Sequence, residues 1–519
     1  MIEILDTTLR DGAQGENIVF SIDDKIKIAL ALDQLGIDFI EGGNPAANPK
    51  DALFFEKMKS LSPPLAHAQL CAFGSTRHAC KTPDSDPGLQ GLLHSGAPII
   101  SLFGKSSKSQ VLEVLKTTPD KNLEMIEDSI AFLVTNGRKV FFDAEHFFDG
   151  FKQDPSYAIA CLKAAAKGGA IRFILCDTNG GCLPDEIYDI LQKTAAQVAL
   201  PLGIHCHNDS DTAVANTLIA VKAGAMQVQG TIGGIGERCG NTNLSSVLPS
   251  LILKMGYETS ITYHQLKTLT PTTRYIAEIM NVPVHNAMPY VGHSAFAHKG
   301  GMHIDAVTKV PTTFEHIFPE AVGNHRRFLL SDQAGRSGIV ARIEKVIPGI
   351  KRQDPRVSQI LQRLKRRELK GYAYENADSS FDLMILEAFD MRKTFYTLLD
   401  YHVLTNKNKG DTSAQAFIKI EVDGACEVTA AEGDGPVNAI DRALRKALGV
   451  FYPCIQKMYL KDFSVRVLDT GGTASTVRVI IQSTDGIHIW NTVGVSSNII
   501  HACFKALCDA VDYQLSYYQ

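Results

Sequence analysis

Along the first 256 or so residues, short apolar runs alternate with stretches whose apolar positions recur every three to four residues. The first pattern predicts strands and the second amphipathic helices. The expected strands are Glu3–Asp6, Ile37–Glu41, Ala66–Phe73, Ile99–Phe103, Lys139–Ala144, Arg172–Cys176, Leu202–His207 and Gln227–Thr231. The clearest helix is Ile22–Leu35, with Ser21 and Asp24 as a capping-box start and Gly36 as its stop. Further helices run out at Gly137, Gly168 and Gly224, each just before the next strand. Eight strands alternating with helices predict an α/β fold, either a (β/α)₈ barrel or an open doubly wound sheet. The barrel is preferred, because chemically active residues follow nearly every strand and a barrel gives them one shared mouth.

Those residues can be followed strand by strand. The first strand ends in Asp6-Thr7-Thr8-Leu9-Arg10-Asp11-Gly12 and the second at Glu41-Gly42-Gly43. The fifth carries Asp143-Ala144-Glu145-His146, and the sixth ends in Asp177-Thr178-Asn179-Gly180-Gly181. The seventh carries His205 and His207, and the eighth runs into Gly233 through Asn241. An H-x-H pair on a strand puts both imidazoles on one face, which suits a divalent metal as well as it suits two hydrogen-bonded core histidines. The carboxylates, arginine and amide on the same rim favour the metal. Cys206, between the two histidines, must point to the opposite face.

The last 120 or so residues repeat a pattern. Phe417–Val422, the turn Asp423-Gly424, a strand through Ala430 and the helix Ala439–Leu448 match Val477–Gln482, Asp485-Gly486, His488–Val493 and the helix Asn498–Val511. The turns lie 62 residues apart (423 and 485), so two β-β-α units are expected. Between barrel and repeat, Pro271, Pro283, Pro289 and Pro311 mark connectors. The expected organisation is a catalytic barrel over 1–270, linker subdomains covering the active site over 271–395, and an α+β regulatory or dimerisation domain over 396–519. The basic stretch Arg352–Lys370 is read as a solvated helix face, with contact to the phosphates of a ligand as a second reading.

Composition adds exclusions. A net charge of -4 gives no support for nucleic-acid or anionic-membrane binding. Eleven cysteines without a C-x-x-C pair argue against a zinc ribbon, and Cys71, Cys161 and Cys176 in apolar runs suit packed thiols of a reducing cytoplasm. No apolar stretch is long enough to span a bilayer.

The strand-end motifs LDTTLRDGAQ, IEGGNPAANPKD, DAEHFFDGF, CDTNGG, GIHCHND and GTIGGIGERCGN resemble the acyl-CoA-condensing branch of the TIM-barrel metallolyases. That branch holds the 2-isopropylmalate, homocitrate and citramalate synthases. The resemblance continues through FAHKGGMHIDAV and VGNHRRFLLSDQAGRS to the C-terminal domain, and FGSTR, DAEHFFDGF and SAFAHKGGMHIDAV are nearest its citramalate-forming members. It implies that Asp11, His205, His207 and Asn241 hold a divalent metal, Mg²⁺ or Mn²⁺, or Zn²⁺. It implies that Arg10 stabilises the developing oxyanion and that Thr178 binds the carboxylate of a small 2-oxo acid. His303, oriented by Glu145, becomes the base toward acetyl-CoA, with His293 and His298 as competitors. Glu41, Glu237 and Arg238 become supporting ion-pair groups, and Cys239 a packing residue. Pyruvate is the expected 2-oxo acid, in isoleucine biosynthesis, and 2-oxoisovalerate the alternative. Phe73 and Phe103 stand at strand ends where they could shorten the pocket. A homodimer with a shared active site and a branched-chain amino-acid effector, isoleucine, complete the expectation. A lyase reading is disfavoured because the glycine loop Gly233-Gly234-Ile235-Gly236 lacks a cysteine. A catalytically dead sensor would have no use for the intact set.

Overall fold

A computed structural model describes residues 1–329, 336–351, 353–408 and 411–518. Residues 330–335 of the VGNHRRFLLSDQAGRS motif and Arg352 lie outside the described residues. The chain divides into two compact units, Met1–Phe296 with Ile317–Arg326, and Ala297–His316 with Arg327–Gln519.

The first unit is built on a closed, all-parallel barrel. Its strands are β1 (Glu3–Asp6), β2 (Phe39–Glu41), β3 (Gln69–Ser75), β4 (Ile99–Lys105), β5 (Lys139–Glu145), β6 (Arg172–Asp177), β7 (Leu202–Cys206) and β8 (Gln227–Gly230). β1 pairs with β8 and closes the ring. Helix α1 (Ile22–Leu35) starts on the expected capping box: Ser21 Oγ accepts from Asp24 N, and Asp24 Oδ2 accepts from Ser21 N. It stops at Gly36, whose φ of 92° suits a residue without Cβ.

Strand alternation sorts the side chains into two cores. Leu5, Phe39, Cys71, Ile99, Phe141, Ile174 and Cys176 fill the barrel interior. Ile4, Ile40, Ala72, Ile100, Phe142, Leu175, Ile204 and Val228 face the surrounding helices. Period two then dictates what stands further along on the inner face: Glu41, Phe73, Ser101 and then Phe103, Asp143, and Thr178 just past β6. The apolar plug therefore sits below a polar layer at the C-terminal mouth. On β7 the inward positions are 203, 205 and 207. A Cβ on Gly203 would stand 2.5 Å from Ile174 Cδ1, so glycine leaves room for the plug. Cys206 points outward, toward Thr217 on the helix α2 (Ala213–Lys222).

In the second unit the repeat is present, and each copy opens with a further strand. The first sheet is β9 (Thr397–Asn408), β10 (Asp411–Val422) and β11 (Ala425–Gly433), followed by helix α3 (Pro436–Leu448). The second is β12 (Tyr459–Val467), β13 (Val477–Thr484) and β14 (Ile489–Ser496), followed by α4 (Ile499–Tyr517). The added strands begin 62 residues apart (397 and 459), the same offset as the turns. The basic stretch forms a helix over Pro355–Leu369, entered from Asp354 as N-cap. Several of its cations are occupied: Arg356 by Asp354, Arg363 by Glu387, and Arg367 by the Tyr374 hydroxyl. No helix among the described residues is long and apolar enough to cross a membrane.

Candidate active site and metal centre

The loop after β1 turns on one carbonyl: the amides of Arg10, Asp11 and Gly12 all donate to Thr7 O. This brings Arg10 and Asp11 back over the barrel axis. Asp11, His205 and His207 meet there, with one ligand atom from each within 4.8 Å of the others. All three are buried. His207 lies one residue past β7 and forms an antiparallel bridge with Asn241. The side chain of Asn241 donates from Nδ2 to Ile235 O at 3.2 Å. A Cβ on Gly236 would stand 2.1 Å from that Nδ2, so the glycine loop is what admits the amide.

The electrostatics ask for a cation. Gln229 Oε1 lies 3.0 Å from His205 Nδ1 and gives the Nδ1 proton an acceptor. That leaves the lone pair on Nε2, which faces Asp11 Oδ2 at 3.3 Å. Two lone-pair atoms at that distance repel unless a proton or a metal ion joins them. Burial pulls the His205 pKa down, but the hydrogen bond and charge of Asp11 outweigh it and the net shift is upward. His207 is pushed down to about 4, first by burial and then by His205, so it stays neutral with one ring nitrogen's lone pair available. Its Nδ1 and the Oδ1 of Asn241 are buried without a hydrogen-bond partner among the described residues. One carboxylate, two imidazoles and an amide oxygen fit a divalent ion of mixed N/O preference.

Arg10 is a strong cation beside this cluster. It pairs with Asp11 Oδ2 at 3.0 Å, hydrogen-bonds Glu41, and lies 3.9 Å over the Phe73 ring. Burial works against its charge, but Asp11 and Glu41 outweigh it and hold the guanidinium charged. Asp11 is held well below the carboxylate range by Arg10 and His205 in spite of its burial. Asp143 is pushed up to about 7, chiefly by burial and by Glu41. Asp11, Glu41 and Asp143 all act on the Arg10 guanidinium, and a divalent cation bound here would favour their ionised forms.

A cavity of about 220 Å³ opens here, with Phe73, Phe103, Asp143, Glu145, Thr178 and Glu237 in its lining. Phe73 and Phe103 stack at 5.1 Å. Thr178 Oγ1 accepts from His146 N at 2.8 Å. Glu145 is paired with Lys105 at 2.7 Å. Arg238 is tied to both oxygens of Asp209 and to Thr178 O, which fixes the loop after β6. Cys239 is exposed.

The sequence reading missed Gln229 and gave no role to Asp143. Gln229 joins the two, since its Nε2 donates to Asp143 Oδ1 at 3.5 Å. The available signal was a fully buried polar residue at every second position of β8, Gln227 and Gln229. The candidate base His303 belongs to the second unit, where it is exposed and stacks on Phe314 at 4.1 Å. Its competitor His298 is buried and bonded to Glu315 at 3.1 Å, whereas the other competitor, His293, is exposed like His303.

Comparison with known proteins covers the whole chain. The HMGL-like family profile matches residues 1–272, the homocitrate synthase post-HMGL domain-like profile 290–371, and the LeuA allosteric (dimerisation) domain 375–515. The chain is 48% identical to the (R)-citramalate synthase of Aquifex aeolicus over 99% of its length and 98% of that protein's. It is 47% identical to the (R)-citramalate synthase of Geobacter sulfurreducens, over 99% and 98%. The similarly named protein of Streptomyces coelicolor is 44% identical, over 99% and 96%.

Proposed function

The chain belongs to the (R)-citramalate synthase family, and from that premise we propose that it condenses acetyl-CoA with pyruvate and water to give (R)-citramalate and free CoA, in isoleucine biosynthesis. The observation that carries this reading is the match along 99% of the chain.

We propose that Asp11, His205, His207 and Asn241 hold a divalent metal. When bound, the ion would act as a Lewis acid on the ketone of the 2-oxo acid. The chain's own residues do the rest. Arg10, kept charged by Asp11 and Glu41, faces the oxygen on which negative charge develops. The Thr178 oxygen already accepts from His146 N, so its hydroxyl proton is free to donate to the substrate carboxylate. The stacked rings of Phe73 and Phe103 in the cavity lining would shorten it against a branched side chain, in favour of pyruvate over 2-oxoisovalerate. His303 is assigned the removal of a proton from the acetyl methyl group, with Glu145 orienting it. His303→Ala with unchanged turnover would remove it from this role.

A homodimer and an amino-acid effector bound by the C-terminal domain belong to the same proposal. The domain's name among known proteins supports it. So does β12, exposed along its whole length and bearing Tyr459, Phe463, Val465 and Val467.

Thiol release from acetyl-CoA tests the reading, with pyruvate, 2-oxoisovalerate and 2-oxoglutarate offered separately, with and without EDTA. Chelator-sensitive release with pyruvate is expected. Release with 2-oxoisovalerate alone would turn the assignment to a 2-isopropylmalate synthase.

A further inference from the structure

Condensation leaves a thioester whose hydrolysis needs a group to take a proton from water, and none of the residues assigned above does so. His146 stands beside the cavity, next to its lining rather than in it. It follows Glu145 directly, and its backbone amide is held by Thr178, both of which line the cavity. On a regular strand its side chain would follow Ala144 out toward the helices. Its φ of 56° breaks that alternation, a left-handed conformation that few residues other than glycine adopt. His146 begins the helix Phe147–Gln153, yet its side chain makes no capping hydrogen bond.

The ring is engaged elsewhere. His146 Nδ1 lies 3.3 Å from Asp149 Oδ2, and the same oxygen accepts from Asn179 Nδ2 at 2.6 Å. The His146 hydrogen bond, with Asn179, holds the Asp149 carboxyl below its ordinary range against the effect of partial burial. An ionised carboxylate opposite Nδ1 fixes the proton there and leaves the lone pair on Nε2. Nε2 has no hydrogen-bond partner among the described residues, and the side chain is 13% exposed.

We propose that His146, held by Asp149, is the general base for hydrolysis of the condensed thioester. His146 Nε2 takes a proton from water as its oxygen bonds to the thioester carbonyl carbon. The C–S bond then breaks, and the imidazolium returns the proton to the departing CoA thiolate. The thioester carbonyl is bonded to the carbon that attacks the ketone, so both steps occur at neighbouring atoms. Glu145 and His146, adjacent in the chain, serve one step each. This inference rests on the proposed function above.

Single turnovers with labelled pyruvate, quenched in acid, test it. Wild-type protein should yield citramalate and free CoA in equal amounts. His146→Asn, a residue that tolerates the left-handed backbone, and Asp149→Asn should accumulate citramalyl-CoA, with hydrolysis slowed about 100-fold or more. Both should also fail to hydrolyse supplied citramalyl-CoA at the wild-type rate. Wild-type ratios of citramalate to thioester in both variants would overturn the proposal. So would variants that consume no pyruvate in the first turnover, because a base for hydrolysis alone leaves bond formation running. Wild-type protein that consumes no pyruvate would sink the proposed function itself.

Discussion

Replacing Gln229 with leucine isolates the part of the metal site that lies outside its ligands. Gln229 is fully buried, and its Oε1 is the acceptor for His205 Nδ1. Leucine keeps the volume and removes that acceptor. Either the Nδ1 proton stays, buried and unpaired, at a cost of about 1–3 kcal/mol, or it moves to Nε2 and takes the lone pair away from Asp11 and the ion. The metal-bound form needs the proton on Nδ1 and bears that cost, whereas the metal-free form escapes it by moving the proton to Nε2, so metal binding is weakened by about that amount. Loss of such a hydrogen bond typically lowers metal affinity about 10–100-fold, or about 1.4–2.7 kcal/mol, which agrees with the cost of the unpaired donor. The assay is Mn²⁺ titration of metal-free protein, reading the free ion by electron paramagnetic resonance, with circular dichroism to establish that the barrel is folded. Gln229→Glu keeps an acceptor opposite Nδ1 and should retain more affinity than the leucine variant. A leucine variant that binds Mn²⁺ as tightly as wild type would refute the argument that Gln229 sets the His205 tautomer.

Three further outcomes follow from particular contacts. Gly236→Ala drives a Cβ to 2.1 Å from Asn241 Nδ2, so the variant should fold, bind metal at least about tenfold more weakly and lose activity in parallel; equal affinity would remove Asn241 from the ligand set. Trp490 is the single tryptophan of the chain, buried in the C-terminal sheet and bonded to Ala510 O, so isoleucine binding should change its fluorescence in a saturable way. No response to isoleucine, leucine or valine would leave that domain without an amino-acid effector. Asp382, paired with Arg342 at 2.7 Å, is pushed up to about 6 chiefly by burial. A folded pKa above the ordinary 3.8 means that the folded state gains stability as pH falls from 6 to 4. Measured by Trp490 fluorescence on unfolding, wild-type stability relative to Asp382→Asn should therefore rise over that window by about 2 kcal/mol; a flat difference would contradict the burial argument.

The barrel was legible because parallel strands buried on both faces read as short apolar runs, and Glu3–Asp6 and Ile22–Leu35 begin and end where the pattern does. Strand ends moved by one to three residues where the ladder, rather than the composition, decides: Ala66–His67–Ala68 are apolar enough for a strand, yet their amides go to the Asp33 carboxylate instead. The ring of Asp11, His205 and His207 was legible because period two and a closed ring bring strand ends together. Gln229 was not, because a glutamine on a strand carries no signal until its two neighbours, His205 and Asp143, are known to stand on either side of it. The opening strand of each C-terminal repeat was missed for a related reason. Tyr459–Val467 is exposed throughout and Thr397–Asn408 is half polar, so neither shows the buried face that pattern reading relies on.

The most direct test is to count metal and activity together. Metal-free wild-type protein titrated with Mn²⁺ should bind one ion per chain, and thiol release from acetyl-CoA with pyruvate should return in step with occupancy. The His205→Ala/His207→Ala protein should bind none at that site and stay inactive while its circular dichroism matches wild type. Pyruvate-dependent thiol release from the metal-free wild type, or undiminished Mn²⁺ binding by the double variant, would contradict the account.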